Sequence, residues 1–227
     1  MYNIMICLCM IFYSIAITAH DSFIVDSFED SHIQSVCGGW WYTYNDSING
    51  GNSIVLPLPG RYELKKTGYD KKGYSAYMKG VAGNKLGWDY VGMGVTLSAA
   101  SGCPESKPVD MIEYKNIQFK MKGKFCGGRL ILLLPYTENR CDSGANSQAT
   151  LTEWADYEAP LTGKIKPDWV SVSLDLRKDF HQPRWAKQNI IVPIDTVLKN
   201  LKNINFQYSS PDGDSIEIWI DEIRFTR

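Results

Sequence analysis

Short segments in which apolar and polar residues alternate recur along this chain, and they constrain its fold more than any other feature. One such segment places Ile117, Phe119 and Met121 at every second position. Three more sets follow the same period: Val170, Val172, Leu174 and Leu176; Ile204, Phe206 and Tyr208; Ile216, Ile218 and Ile220. Because successive side chains of a β-strand point to opposite faces, each set predicts a strand with one buried face.

Two other segments complete the secondary-structure prediction. Residues 129–135, RLILLLP, are continuously apolar after the arginine, which predicts a central strand covered on both faces. Asp195–Leu201 alone predicts a short helix. Turn-forming residues separate the strands, at 49–52, 57–60, 71–73 and 211–213. We therefore predict an all-β fold, a jelly-roll β-sandwich of two antiparallel sheets, formed by residues 22–227 as one domain.

The last predicted strand contains a break in its alternation. The apolar residues stay in phase through Ile220, but the next ones are Ile223 and Phe225. A slip of one residue reverses every later side chain unless an extra residue is absorbed locally. We therefore predict a β-bulge at Asp221–Glu222, with a carboxylate at the rim of the sheet.

The first residues predict a secretion signal. Residues 4–17 form an uncharged apolar run that is short for a membrane span and typical of a signal peptide, and small residues follow at 16–19. We expect residues 1–19 to be a signal peptide, the mature protein to be secreted, periplasmic or at the cell surface, and no membrane span. A buried N-terminal strand is the alternative interpretation.

Cysteine usage is compatible with an oxidising compartment. The chain has 6 cysteines, and loss of Cys7 and Cys9 with the signal would leave 6 − 2 = 4. The remaining ones are Cys37, Cys103, Cys126 and Cys141. Their spacing does not fit a zinc site, and one or two disulfides are expected, with the pairing open among three possibilities. Buried free thiols are the alternative.

Charge and motifs exclude several classes of function. With 24 basic and 25 acidic residues, the formal net charge of −1 argues against a nucleic-acid or anionic-membrane partner. The motifs of serine hydrolases, zinc proteases, P-loops and dinucleotide sites are missing from the sequence, as is a tight cluster of acids for glycoside hydrolysis. We therefore predict a protein without enzymatic activity.

Aromatic residues, 12% of the chain, cluster beside polar ones. Residues 40–46 read WWYTYND, and the pairs Trp88–Asp89 and Arg184–Trp185 repeat the association. Each ring taken singly could fill a core, but together they exceed what one small core needs. Aromatic rings flanked by hydrogen-bonding groups suit sugars, which have apolar C–H faces and hydroxyl rims.

Several segments, in order, resemble carbohydrate-binding module family 11. They are residues 26–30 (DSFED), 41–46 (WYTYND) with 50–53 (GGNS), 90–94 (YVGMG), 180–185 (FHQPRW), 204–208 (INFQY) and 218–223 (IWIDEI). The resemblance implies a jelly-roll that binds β-glucan chains in a concave groove, in association with secreted glycoside hydrolases. It places ligand contacts at Tyr44, Asp89, Tyr90, Arg184, Trp185 and Tyr208, and a structural calcium ion (Ca2+) at Glu29 and Asp221. Lys202 and Asn203 stand where the resemblance implies acidic and hydroxyl residues lining the groove, which leaves the choice of glycan open.

Two other functions remain open at the level of sequence. One is a structural or adhesive envelope protein that keeps the fold without binding sugar. The other is a jelly-roll glycoside hydrolase with a dispersed pair of carboxylates. Retention on cellulose or mixed-linkage glucan distinguishes the leading interpretation, a polysaccharide-binding module for β-glucan, from the first. Release of reducing sugars identifies the second.

Overall fold

The structure, a computed structural model, describes residues 22–98, 107–136, 154–188 and 191–227. Its strands are β1 (Ser22–Asp26), β2 (Trp41–Asn45), β3 (Ile54–Leu56), β4 (Ala76–Val81), β5 (Tyr90–Thr96), β6 (Asn116–Phe125), β7 (Arg129–Leu134), β8 (Tyr157–Pro160), β9 (Val170–Asp175), β10 (Asn203–Ser209) and β11 (Ser215–Thr226). A helix, α1 (Ile194–Lys199), and two 3-10 turns, Asp46–Asn49 and Tyr69–Lys71, lie between strands.

The strands form two antiparallel sheets. The five-stranded sheet has the order β2-β5-β10-β7-β8, and the six-stranded sheet has the order β3-β4-β11-β6-β9 with β1 also paired to β11. The predicted all-β sandwich of two antiparallel sheets is therefore confirmed.

The core lies between the two sheets and is built from the alternating positions. Phe119 of β6 meets Phe206 of β10 edge to face, with ring centroids 5.3 Å apart, so the two sheets touch through aromatic side chains. Ile204, Phe206 and Tyr208 are each 0% exposed. Because residues two apart share a face, Asn203, Asn205 and Gln207 occupy the opposite, outer face of β10.

The predicted strand at 129–135 and the predicted helix are both present, with a shift in the helix. β7 lies between β10 and β8, and its leucines at 130, 132 and 134 are buried. The helix runs from Ile194 to Lys199 rather than over Asp195–Leu201. It ends early because Leu201 forms an isolated β-bridge with Val109.

The predicted bulge is confirmed, although its position at a rim is wrong. The register between β11 and β6 shifts between Asp221 and Arg224, and Glu222 has a φ of 49°. β11 is a central strand, and the bulge lies where one of its edges changes partner, from β4 up to Ile220 to β1 from Ile223. Asp221 is therefore enclosed, at 4% exposure.

The described residues test the cysteine and membrane predictions only in part. Cys37 and Cys126 are free thiols in the structure, whereas Cys103, Cys141 and the predicted signal peptide at 1–19 lie outside the described residues. None of the helices in the described ranges has the length and apolar character needed to cross a bilayer.

Candidate functional site

The outer face of the five-stranded sheet carries tyrosine rings seated over glycines. Tyr42 of β2 pairs in register with Gly94 of β5, which pairs with Asn205 of β10. A Cβ at Gly94 would lie 2.7 Å from the Tyr42 hydroxyl oxygen, so only glycine leaves room for this ring. The Tyr42 hydroxyl donates to Asn205 Oδ1 at 2.6 Å and accepts from Asn203 Nδ2 at 2.7 Å. These contacts hold the ring against the sheet.

Tyr44 repeats this arrangement one row further along β2. It pairs with Gly92, where an added Cβ would overlap the Tyr44 ring. Its hydroxyl donates to Gln207 Oε1 at 3.2 Å. Two tyrosines thus reach across β5 to the amide side chains of β10.

Four aromatic rings lie in a row on this side of the face, each in contact with the next. Centroids are 6.0 Å apart between Tyr42 and Tyr44, 6.0 Å between Tyr44 and Tyr90, and 6.2 Å between Tyr90 and Trp88, the last pair being stacked. Trp88 is 55% exposed at the end of this aromatic row (Trp88, Tyr90, Tyr44 and Tyr42). Beside it runs an amide row (Asn203, Asn205 and Gln207). An apolar strip next to hydrogen-bonding amides can bind a ligand that has both C–H faces and hydroxyls.

A buried carboxylate anchors the loops that flank the aromatic row. Asp46 is 0% exposed and accepts hydrogen bonds from Ser53 N at 3.0 Å, Ser53 Oγ at 2.5 Å and Tyr90 N at 3.2 Å. The same Ser53 hydroxyl oxygen accepts from Gly83 N at 2.7 Å. Asn49 adds a bond from its amide to the Tyr90 hydroxyl at 3.1 Å. The rim of the aromatic row is therefore preorganised.

Asp89, predicted to accept hydrogen bonds from a ligand, is instead a positioning residue for a loop. Its carboxylate accepts from Leu86 N and Gly87 N at 2.9 Å and from Lys85 N at 3.1 Å, and the residue is 0% exposed. Burial raises the pKa of Asp89, but these backbone N–H groups outweigh it and the net pKa is lowered. The carboxylate stays ionised and fixes the turn that presents Trp88.

The tyrosine hydroxyls of the row are neutral groups. Burial raises the pKa of Tyr42 to about 12, although its hydrogen bonds with Asn203 and Asn205 act in the opposite direction. Burial also raises the pKa of Tyr44 well above its ordinary value, and that of Tyr90. These hydroxyls therefore act as hydrogen-bonding groups rather than as bases at neutral pH.

The far side of the same face mixes apolar and charged residues. Ile131 of β7 pairs with Gln207 of β10, and Leu133 pairs with Asn205, so both apolar side chains lie on the outer side of the sheet. Arg129 of β7 forms an ion pair with Glu158 of β8, and Glu158 forms an isolated bridge with His181. The predicted residues Arg184 and Trp185 follow in an exposed turn, with Trp185 at 62% exposure. At ~4.8 Å per strand spacing, roughly 19 Å separates β2 from β8, so these residues flank the opposite edge of the sheet from the aromatic row.

Tyr208, also predicted to contact the ligand, lies in the core. It is 0% exposed, and its hydroxyl donates to the carbonyl oxygen of Cys126 at 2.7 Å. Its ring meets Phe125 edge to face at 6.3 Å. Tyr208 points into the core together with Ile204 and Phe206, as the alternation in β10 predicted. The prediction that it contacts the ligand is therefore wrong.

Several residues of the face were not among the predicted ligand contacts. They are Tyr42, Trp88, Gly92, Gly94, Asn203, Asn205 and Gln207. Alternation within residues 41–45 already placed Tyr42 and Tyr44 on one face, and alternate glycines in a strand signal a close approach. Lys202, which was expected near the groove, is 5% exposed, and only Asn203 of that pair reaches the outer face.

The predicted calcium ligand Asp221 lies at the bulge of β11, between the part of this strand that pairs with β4 and the part that pairs with β1. Asp221 Oδ2 accepts from Tyr69 N at 2.6 Å and Oδ1 from Glu222 N at 2.7 Å. Burial, with the negative charges of Glu222 and Glu29 adding to it, raises the pKa of Asp221 to about 6. Among the described residues, no group of three or more acidic, histidine or cysteine side chains could hold a metal. A cation here would need backbone oxygens besides Asp221 and Glu29.

Comparison with protein families gives a match over most of the chain. A family profile described as "Carbohydrate binding domain 30" matches residues 32–227. Among curated proteins, Endoglucanase 3 of Fibrobacter succinogenes (strain ATCC 19169 / S85) is 46% identical over 46 residues. That match covers 17% of this chain and 7% of the endoglucanase.

Solved structures with a similar fold include carbohydrate-binding modules. A family 11 module from Clostridium thermocellum, in complex with a β-1,3-1,4-mixed-linked tetrasaccharide, superposes with a TM-score of 0.54 and 16% identity, covering 90% of this chain and 95% of that one. The family 30 module of a cellulosomal cellulase from Clostridium thermocellum gives a TM-score of 0.52 at 13% identity, with coverages of 90% and 97%. At these identities the likeness shows the fold.

Proposed function

Since the chain belongs to the Carbohydrate binding domain 30 family, we propose that it binds β-linked glucan chains on the outer face of its five-stranded sheet. The chain is a non-catalytic carbohydrate-binding module, as its lack of hydrolase motifs predicts. Family 11, which the sequence resembles, shares this fold, but the family to which the chain is matched is 30. Polysaccharide binding follows from the family, and the choice of β-glucan is the proposal.

The observation that carries this proposal is the seating of Tyr42 and Tyr44 over Gly94 and Gly92. The two rings are partly exposed, and their hydroxyls are already tied to the amide row. They therefore offer apolar ring surface next to free hydrogen-bonding capacity of the amides. A glucan chain presents alternating apolar C–H faces and equatorial hydroxyls, which match these two rows.

The relatives support the choice of ligand and the biological setting. One solved neighbour holds a mixed-linked tetrasaccharide, and another belongs to a cellulosomal cellulase. A short segment of this chain matches an endoglucanase. We therefore extend the proposal to a secreted module that keeps a plant-polysaccharide hydrolase close to its substrate.

Affinity electrophoresis across soluble glycans tests the proposed function. The purified protein should be retarded in gels containing mixed-linkage β-glucan or hydroxyethylcellulose, and should migrate unchanged in gels containing mannan or starch. Binding with a 1 mM to 1 μM dissociation constant corresponds to about −4 to −8 kcal/mol, which a few ring contacts can supply. Unchanged migration in every β-glucan gel would overturn the proposal.

Replacement of Trp185 by alanine tests whether the ligand reaches the far edge of the face. If a glucan chain crosses the sheet from the aromatic row to the 181–188 segment, loss of this exposed ring should weaken binding about tenfold. Trp185 is 62% exposed, so the melting temperature should stay near that of the wild type. Isothermal titration with a long mixed-linkage oligosaccharide gives both numbers, and an affinity equal to that of the wild type would confine the ligand to the aromatic row.

The calcium site is also retained as a proposal, since the donors at the bulge suit this ion. Asp221 and Glu29 are close enough for their charges to act on each other, and a divalent cation would offset that repulsion. Each Asp221 oxygen accepts one N–H and keeps a second lone pair for a metal. Calcium takes six to eight oxygens, so carbonyl groups of the turns near Phe28 and Tyr69 would complete the site.

Removal of calcium should therefore destabilise the fold. An ion present at about 100 times its dissociation constant contributes about 2.7 kcal/mol, or roughly 5–10 °C in melting temperature for a chain of this size. EDTA should lower the melting temperature by this amount, and Asp221→Asn should abolish the response. The exposed Asp212→Asn variant is the control and should respond like the wild type. A wild-type melting curve that is indifferent to EDTA and added calcium would contradict the site.

A further inference from the structure

The outer face of the six-stranded sheet carries a second, chemically different pattern. Lys120, Lys122 and Lys124 occupy alternate positions of β6, so all three project to the solvent side. In register with them across β11 and β4 lie further polar and aromatic residues. We refer to Lys79, Lys120, Lys122 and Lys124, with Tyr69, Tyr77, Trp169, Trp219 and Glu217, as the lysine–aromatic face.

Aromatic rings hold the ammonium groups of this face in place. Lys122 Nζ lies 4.7 Å from the ring centroid of Trp169 and 5.2 Å from that of Trp219. Lys120 Nζ lies 4.3 Å from the ring centroid of Tyr69 and donates to Ser171 Oγ at 3.0 Å. Such contacts restrict the long side chains, so less rotamer entropy is lost when an anion binds.

Lysines outnumber carboxylates on this face. Glu217 pairs in register with Lys79 on one side and Lys124 on the other, and its carboxylate lies 3.3 Å from Lys124 Nζ. It also accepts a hydrogen bond from the Tyr77 hydroxyl at 2.9 Å. Asp221 pairs in register with Lys120 and is 4% exposed. Across these rows four lysines therefore meet two carboxylates, Glu217 and Asp221, whereas the whole chain has a net charge of −1. The face carries an excess of positive charge.

We propose that the lysine–aromatic face is a second binding surface, for polysaccharides that carry repeated carboxylates, such as polymers of uronic acids. Lysines at alternate positions of a strand are ~6.8 Å apart, which gives a row of fixed cations for a polymer with regularly spaced anions. This surface is separate from the aromatic row because it belongs to the other sheet.

The ring contacts distinguish this ligand from other polyanions. The ring surfaces of Trp169 and Tyr69 are taken up by ammonium groups, so they are not open for the base stacking that single-stranded nucleic acids use. They are likewise less suited to neutral sugars than the rings of the aromatic row. The interaction that this face still offers a polymer is the pairing of its lysines with carboxylates. A module with both faces would attach to neutral glucan and to acidic matrix polysaccharide at once.

Affinity electrophoresis with polygalacturonate tests the proposal. Wild-type protein should be retarded by polygalacturonate and not by its fully methyl-esterified form, and saturation with mixed-linkage glucan should leave the retardation unchanged. K120Q/K122Q/K124Q should weaken binding about tenfold or more, because it removes three of the cations that pair with the carboxylates of the polymer. The matched control K115Q/K178Q/K199Q removes the same charge from exposed positions elsewhere and should bind like the wild type.

Four results would overturn this inference. They are a lack of binding to polygalacturonate, competition by mixed-linkage glucan, equal losses in the two triple variants, and binding to single-stranded DNA or phosphatidylglycerol vesicles as tight as to polygalacturonate. The comparison of free and esterified polymer uses the wild-type protein. It therefore tests whether carboxylates are needed for binding even if the lysine variant fails to fold. The neutral glucan gels test the proposed function independently, because their outcome does not depend on the lysines.

Discussion

Tyr44→Ala is expected to weaken binding to mixed-linkage β-glucan roughly 30- to 100-fold. Tyr44 is central in the aromatic row, in contact with both Tyr42 and Tyr90. Its loss removes one ring surface for the sugar and leaves its two neighbours less firmly placed. Burial of one aromatic ring contributes about 2–3 kcal/mol, which corresponds to this range. Isothermal titration measures the change.

Two further variants separate the role of the ring from that of its position. Tyr44→Phe keeps the ring and loses only the hydroxyl bond to Gln207, so its affinity should fall by no more than about fivefold. Gly92→Ala keeps Tyr44 but places a methyl group where its ring lies, so it should bind nearly as weakly as Tyr44→Ala. Wild-type affinity in Gly92→Ala would show that the seating of the ring does not matter.

Tyr208→Ala is expected to destabilise the fold by about 3–5 kcal/mol, because it removes a fully buried ring from the core. Tyr208→Phe keeps the ring and loses the hydrogen bond to Cys126, which costs about 1 kcal/mol. Urea unfolding measures both values. Glucan affinity of the folded Tyr208→Phe protein should equal that of the wild type, and a tenfold loss of affinity with unchanged stability would restore Tyr208 to the ligand-binding residues.

The strands and their inward faces could be predicted because alternation is a local property of the chain. It placed Ile204, Phe206 and Tyr208 on one face, which the structure confirms. Tyr208 was predicted to contact the ligand only from the family resemblance. That prediction fails because Tyr208 is at an inward position of β10, two residues after Phe206. The bulge at Asp221–Glu222 was likewise predicted from a break in phase.

What could not be predicted depends on contacts between distant segments. Asp89 stands between two aromatic residues in the sequence and so resembles a sugar-binding acid. Its carboxylate is used up by the backbone of residues 85–87, and only the folded loop shows this. Similarly, Asp221 is enclosed because β11 pairs with β4 before the bulge and with β1 after it. This change of pairing strand cannot be predicted from a local sequence pattern.

The most direct test of the glucan-binding face is a two-dimensional amide NMR titration of the isotopically labelled protein with a mixed-linkage tetrasaccharide. The largest shift changes should fall in three segments, Tyr42–Tyr44, Trp88–Gly94 and Asn203–Gln207, which meet on the outer face of the five-stranded sheet. Residues of β4, β6 and β11 should be little affected. Changes confined to the six-stranded sheet, or an unchanged spectrum at millimolar ligand, would contradict the account.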